Sequence, residues 1–168
     1  TIHYSFMFLL HFFLGFITSY IGSISPSMLN ITATKISIEQ DKKIATQFAI
    51  GVSIVVIFQA FFALLLLQII HDNPIILESI ENVTIVVFFI LAIVFFRKAR
   101  QEQKDISTKK AKNNGFIIGM GLSFINMFSI PFYCGVGAAL NMYGWLELDT
   151  NSVIAFTLGA AIGTYFIL

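Results

Sequence analysis

Two prolines stand among hydroxyl and amide side chains in otherwise uncharged stretches of this chain. Ser23, Ser25, Ser27 and Asn30 surround Pro26, and Asn126 and Ser129 precede Pro131. A proline inside a helix removes one N–H and pushes away the carbonyl four residues back, here those of Gly22 and Met127. In lipid, carbonyls freed in this way need partners in protein or in a water-filled cavity. Hydroxyls and amides clustered at such breaks, with Gln47, Gln59 and Gln68 elsewhere in the apolar runs, suit a neutral or zwitterionic solute held by hydrogen bonds and helix ends. The alternative is a pair of kinks packed against small neighbours.

Other chemistries lack their residues. The sequence contains no P-loop and no nucleophile, base and orienter set, so no enzyme activity is expected. The single cysteine, Cys134, lies in an apolar run and offers neither a disulfide nor a paired-thiol redox motif. His3, His11 and His71 share no ligand spacing, so neither a metal site nor a cofactor is expected. The sequence gives no sign of nucleic acid as a partner.

The elements that must position these groups are membrane spans. Of 168 residues 57% are hydrophobic and 11% charged, and the mean hydropathy is +0.86, far from a soluble domain with about 25% charged residues. Uncharged runs cover Tyr4 to Thr34, Ile44 to Ile70, Val83 to Phe96, Gly115 to Leu146 and Ser152 to Leu168. All but the third approach or exceed the roughly 20 residues that cross a bilayer as a helix. The third can start earlier, near Pro74, with Glu78 and Glu81 at the headgroups. Continuous rather than alternating apolar runs exclude an outer-membrane barrel. The first run has no basic leader before it and no small-residue cleavage site after it, so it reads as a span rather than a signal peptide.

Orientation follows from the ten basic residues. Lys35, Lys42 and Lys43 follow the first span, and Arg97, Lys98, Arg100, Lys104, Lys109, Lys110 and Lys112 follow the third. The segments on the other side carry only Asp72, Glu78, Glu81, Glu147 and Asp149. The positive-inside rule then places the N-terminus outside and both basic loops in the cytoplasm of a bacterial inner-membrane protein.

An internal repeat is expected as well. Phe48, Gly51 and Ile54 of the second span recur as Phe156, Gly159 and Ile162 of the fifth. The first and fourth spans each carry a Gly-Phe-Ile, at Gly15 and Gly115, and each a proline further on. A three-helix unit repeated in this way inserts its second copy upside down. The expected fold is an all-α polytopic bundle with five spans present of six, an inverted 3+3 repeat and proline-broken first and fourth helices. Residues 1–96 form the first repeat, 97–114 a basic loop and 115–168 an incomplete second repeat. The stripe Gly15, Ser19, Ser23, Ser27 and the pairs Gly115/Gly119 and Gly159/Gly163 let helix backbones approach. None of the runs contains Asp, Glu, Lys or Arg, and His11 lies near the outer end of the first, where a structural role is expected.

These features resemble the LysE/RhtB-type amino-acid exporters over nearly the whole chain. The first motif is Gly22-Ser-Ile-Ser-Pro26-Ser27, where that family has Pro-Gly-Pro, and the second is Asn126-Met-Phe-Ser-Ile-Pro131, where it has an Asn followed by Asn-Pro. The resemblance adds the second-span glycine, Gly51, and the position after it, where the family often carries an acid and this chain has Val52 and Ser53. It implies a six-helix, proton-driven exporter of amino acids or related solutes. The implied binding residues are Ser23, Ser25, Pro26, Ser27, Asn30, Gly51, Ser53, Asn126, Ser129 and Pro131. The implied partners are a small solute and the bilayer, with a homo-oligomer or a membrane-complex partner possible. A non-transporting accessory subunit of a larger membrane complex is the competing reading.

Overall fold

A computed structural model describes residues 2–24, 27–72, 114–126 and 128–168, together with Phe89 and Ile93. The third expected span and the basic loop after it, including residues 73–88 and 94–113, lie outside the described residues, as do Ser25 and Pro26. Six helices make up the described chain: α1 (Ile2–Gly22), α2 (Met28–Glu39), α3 (Lys42–Asp72), α4 (Gly115–Ile125), α5 (Ser129–Met142) and α6 (Thr150–Ile167). No strand occurs among the described residues.

Local chemistry sets the helix ends. Ser27, in extended backbone, caps α2 by accepting from the Asn30 N–H at 3.3 Å. The Asp41 carboxylate accepts from the Lys43 N–H at the start of α3. Asp149 caps α6 by accepting from the Asn151 and Ser152 N–H groups at 3.0 and 3.4 Å. The α5–α6 connection turns through Gly144, whose φ of 72° suits a residue without a side chain.

Among the described residues three helices are long and apolar enough to cross a membrane: Ser5–Gly22, Lys42–Asp72 and Thr150–Ile167. A fourth span results if α4 and α5, bent by 65° about the Asn126–Phe128 break, count as one. The first run is divided more deeply than a kink requires. Helix stops at Gly22 and resumes at Met28, and α2 continues as a separate helix that carries Lys35, which the sequence had placed in a loop.

Glycines bring the helices together in two tight pairs. A Cβ on Gly15 would overlap the Phe156 carbonyl of α6, and one on Gly159 would overlap the Phe12 carbonyl of α1. In the second pair, a Cβ on Gly119 would overlap the Phe48 carbonyl of α3, and one on Gly51 the Phe116 carbonyl of α4. The small-residue stripes are therefore helix contacts. Gly121 and Gly135 face open space instead.

Within each pair the helices run in the same direction. Residue numbers rise together from Phe12 beside Gly159 to Ser19 beside Thr164, and from Ile44 beside Gly115 to Gln59 beside Ser123. α5 continues along α3, with the Cys134 thiol donating to the Ala63 carbonyl at 3.1 Å. The connection after α5 then reverses the chain. Phe48, Val52, Ala60, Leu64, Tyr133, Leu146, Val153 and Phe156 form the core between the pairs. Phe6, Phe58, Phe62, Phe124 and Phe166 are more than half exposed, as a lipid-facing surface requires.

Candidate functional site

The first break forms a polar corner. The Asn30 side-chain amide, at the start of α2, reaches back to donate to the Ser23 carbonyl just past the end of α1. The Asn30 N–H donates to Ser27 Oγ, and the Thr34 hydroxyl donates to the Asn30 carbonyl at 2.9 Å. Ser23, Ile24, Asn30, Ala33 and Thr34, with Ile167 and Leu168 from the end of α6, line a cavity of about 160 Å³. A larger recess of about 360 Å³ adjoins it, sharing Ile24, Asn30 and Thr34 and bounded further by Ile31, Lys35, Ile38 and Glu39. Asn30 therefore forms a wall of both, and the larger volume falls within the range of small-molecule sites.

The second break is built differently from its sequence reading. Pro131 falls in the first turn of α5, where a backbone N–H would have no intrahelical acceptor. It opens a helix rather than interrupting one. The turn is held by the Asn126 amide, which donates to Ser129 Oγ at 3.3 Å, and by Gln59 of α3. The Gln59 Nε2 donates to the Ser123 carbonyl at 2.9 Å and the Asn126 carbonyl at 3.3 Å. The Gln59 Oε1 is buried and has no hydrogen-bond partner among the described residues.

The two breaks approach each other through their flanks. Gly22, the last residue of α1, lies against the Phe132 ring, so that a Cβ there would overlap it. One turn earlier, Ser19 Oγ lies 3.0 Å from the Tyr133 hydroxyl and 2.6 Å from Thr164 Oγ1, and Thr164 donates to the Ala160 carbonyl. Ser19, Tyr133 and Thr164 are all buried. This hydroxyl cluster joins α1, α5 and α6 between the breaks.

The other expected site residues stand apart from the cavities. Gly51 is filled by the α4 backbone, and the buried Ser53 hydroxyl donates to the Ala49 carbonyl of its own helix at 2.8 Å. Ser23, Ser27 and Asn30 are thus gathered at one break, and Asn126, Ser129 and Pro131 at the other. Gln59, Ser19, Tyr133 and Thr164 complete the polar network without having been singled out as site residues. Ser19 had a signal in the small-residue stripe. Its partners come from α5 and α6, and no local pattern points to them.

The described spans bring no formal charge to this interior, and no group of three His, Cys, Asp or Glu that could hold a metal occurs among the described residues. Charge gathers at the far end. Partial burial would raise the Asp149 carboxyl, but hydrogen bonds from the Ser152 side chain and from the Ser152 and Asn151 N–H groups outweigh it. With the nearby His11, they hold Asp149 below the usual carboxylate value.

No curated protein and no solved structure is significantly similar to this chain. The family model of the LysE type translocators matches residues 20–167, from the last turn of α1 to the end of α6. The apolar helices among the described residues fit a multi-pass membrane translocator of small solutes, and the chain belongs to the LysE type translocator family.

Proposed function

We propose that this protein is a secondary exporter of amino acids or related small zwitterionic solutes. It works by alternating access across a bacterial inner membrane, with its N-terminus outside and its basic segments in the cytoplasm. The observation that carries the mechanism is the correspondence of the two helix pairs. Gly15 meets Phe156 as Gly119 meets Phe48, and Gly159 meets Phe12 and Phe16 as Gly51 meets Phe116 and Met120. One turn past Gly15 and Gly119 lie two buried serines, Ser19 and Ser123. The α1–α6 pair runs opposite to the α3–α4 pair, which supports an inverted repeat whose halves exchange helices. In such folds the site lies at broken helices between the repeats.

Asn30 and the capped end of α2 then take the solute on the cytoplasmic side, and the Asn126–Ser129 turn takes it on the opposite path. The N-terminus of α2, as the positive end of a helix dipole, suits the solute carboxylate. Carbonyls and amide oxygens suit its ammonium. The cavity beside Asn30 favours this reading over an accessory subunit, in which a filled core is expected there.

The test is flux of radiolabelled amino acids in proteoliposomes containing the full chain, at imposed and collapsed pH gradients, beside Asn30→Ala and Asn126→Ala. Gradient-dependent export abolished by both substitutions is the expected result. Absence of flux for every amino acid would overturn the proposal in favour of an accessory subunit.

A further inference from the structure

His11 is the only Asp, Glu, Lys, Arg or His side chain buried among the described residues. It sits on α1 and is fully enclosed, and its Nε2 accepts from the Glu147 N–H of the α5–α6 connection at 3.4 Å. A ring nitrogen that accepts carries no proton, so Nδ1 carries the proton of the neutral imidazole. Nδ1 is buried and has no partner among the described residues, an unfavourable arrangement for a donor. The neutral state is thus held by one long hydrogen bond and penalised by one orphaned donor.

Protonation reverses the sign of the contact. A proton added at Nε2 turns it into a donor facing the Glu147 N–H, and the two must separate. Two carboxylates lie in the same connection, Glu147 and Asp149, both at the surface, and Asp149 is near enough to sense charge on His11. Tyr143 is exposed with its ring 6.4 Å from that of Trp145, and the first turn of α6 adds no charge. α1 itself adds only Tyr20 toward its other end, and the side chains of His3 and Tyr4 lie outside the described set.

We propose that His11 is the proton-binding group of this exporter. Its protonation from the outer side exchanges the Glu147 backbone contact for carboxylate pairing and releases the α5–α6 connection from α1. This rests on the exporter reading above for its role in transport, but not for the switch itself. The connection is otherwise tied to α5, through the Asn141 amide on the Leu146 carbonyl at 2.9 Å, so the α1 contact is the one that a proton controls.

Hydrogen exchange of residues 144–149 tests the switch in nanodiscs holding the full chain. His11→Gln is compared with the unsubstituted protein at each pH, because glutamine can accept from the Glu147 N–H but takes up no proton. The two should exchange alike at neutral pH, and the unsubstituted protein several-fold faster than His11→Gln in acid. Exchange that follows the same course with and without His11 would overturn the proposal. Flux separates it from the exporter reading. Gradient-driven export that survives His11→Gln unchanged sinks the coupling role alone, whereas a His11-dependent exchange response without any flux leaves the switch and removes the exporter.

Discussion

The Gln59 side chain reaches from α3 to the Asn126 carbonyl, 3.3 Å away, and so fixes the turn between α4 and α5 from outside that turn. The Ser123 carbonyl shares the same amide at 2.9 Å. Carbonyls at a helix end inside a membrane have no water to fall back on, and Gln59 takes the place of that water.

Replacing Gln59 with leucine should therefore destabilise the protein by about 1 kcal/mol, the worth of the lost side-chain hydrogen bonds, since the Ser123 and Asn126 carbonyls keep the Asn126 and Ser129 N–H groups as donors. Thermal unfolding in detergent reads the loss. A Gln59→Leu protein as stable as its parent would mean that the α4–α5 turn is held by other contacts.

Glycine substitutions should separate contact from spacing. Gly159→Ala drives a methyl into the Phe12 backbone and should cost about 1–3 kcal/mol, as overpacking does. Gly121→Ala, on a helix face with nothing nearby, should be neutral or stabilising by up to about 1 kcal/mol. Melting temperatures of the two variants side by side decide the matter, and equal losses would contradict the close approach of α1 and α6.

The Ser19 cluster should respond asymmetrically. Ser19→Ala leaves the Tyr133 hydroxyl buried without Ser19 while Thr164 keeps the Ala160 carbonyl, for a cost of about 1–2 kcal/mol. Tyr133→Phe removes the phenol itself and should cost less. In a double-mutant cycle the second substitution should add little to the first, and additive losses would show that the two hydroxyls act independently.

Asp149 should stabilise the start of α6 at neutral pH. Asp149→Ala is expected to lose about 1 kcal/mol with the cap. Because its carboxyl is held below the usual value in the folded protein, its contribution is present above the unfolded carboxylate pKa of about 3.9 and fades as pH falls through the lower folded value. Stability measured in acid should show the parent converging on Asp149→Ala there. A gap that persists at the acid end would rule out the charged cap.

The apolar runs made the spans of α1, α3 and α6 legible, because lipid demands long uncharged helices and little else. The same demand hides the interior. A helix that is apolar all round carries no periodic sign of which face meets protein, so the pairing of Gly15 with Phe156 and of Gly119 with Phe48 was not readable, although the glycine spacing was. The break after Gly22 was visible through Ser23, Ser27 and Asn30. That α2 would stand as a separate helix was not, since its length rests on the Ser27 cap and on packing of Leu29, Ala33 and Ile36 against the core. Pro131 was read as a helix breaker from its place in a long run, and its position in the first turn of α5 depends on where α4 ends. His11 was read as peripheral from its place in the sequence, and only the folded-back α5–α6 connection encloses it.

The close seat of α1 against α6 also bears on how the chain is made. α1 enters the bilayer early in synthesis, yet the surface that fits Gly15 belongs to Phe156 on the last helix described. Until α6 leaves the ribosome, the small-residue face of α1 around Gly15 lacks the surface that fits it. A chain arrested before α6 would display that face as an unoccupied groove, open to a chaperone, to a protease or to the same face of another nascent chain.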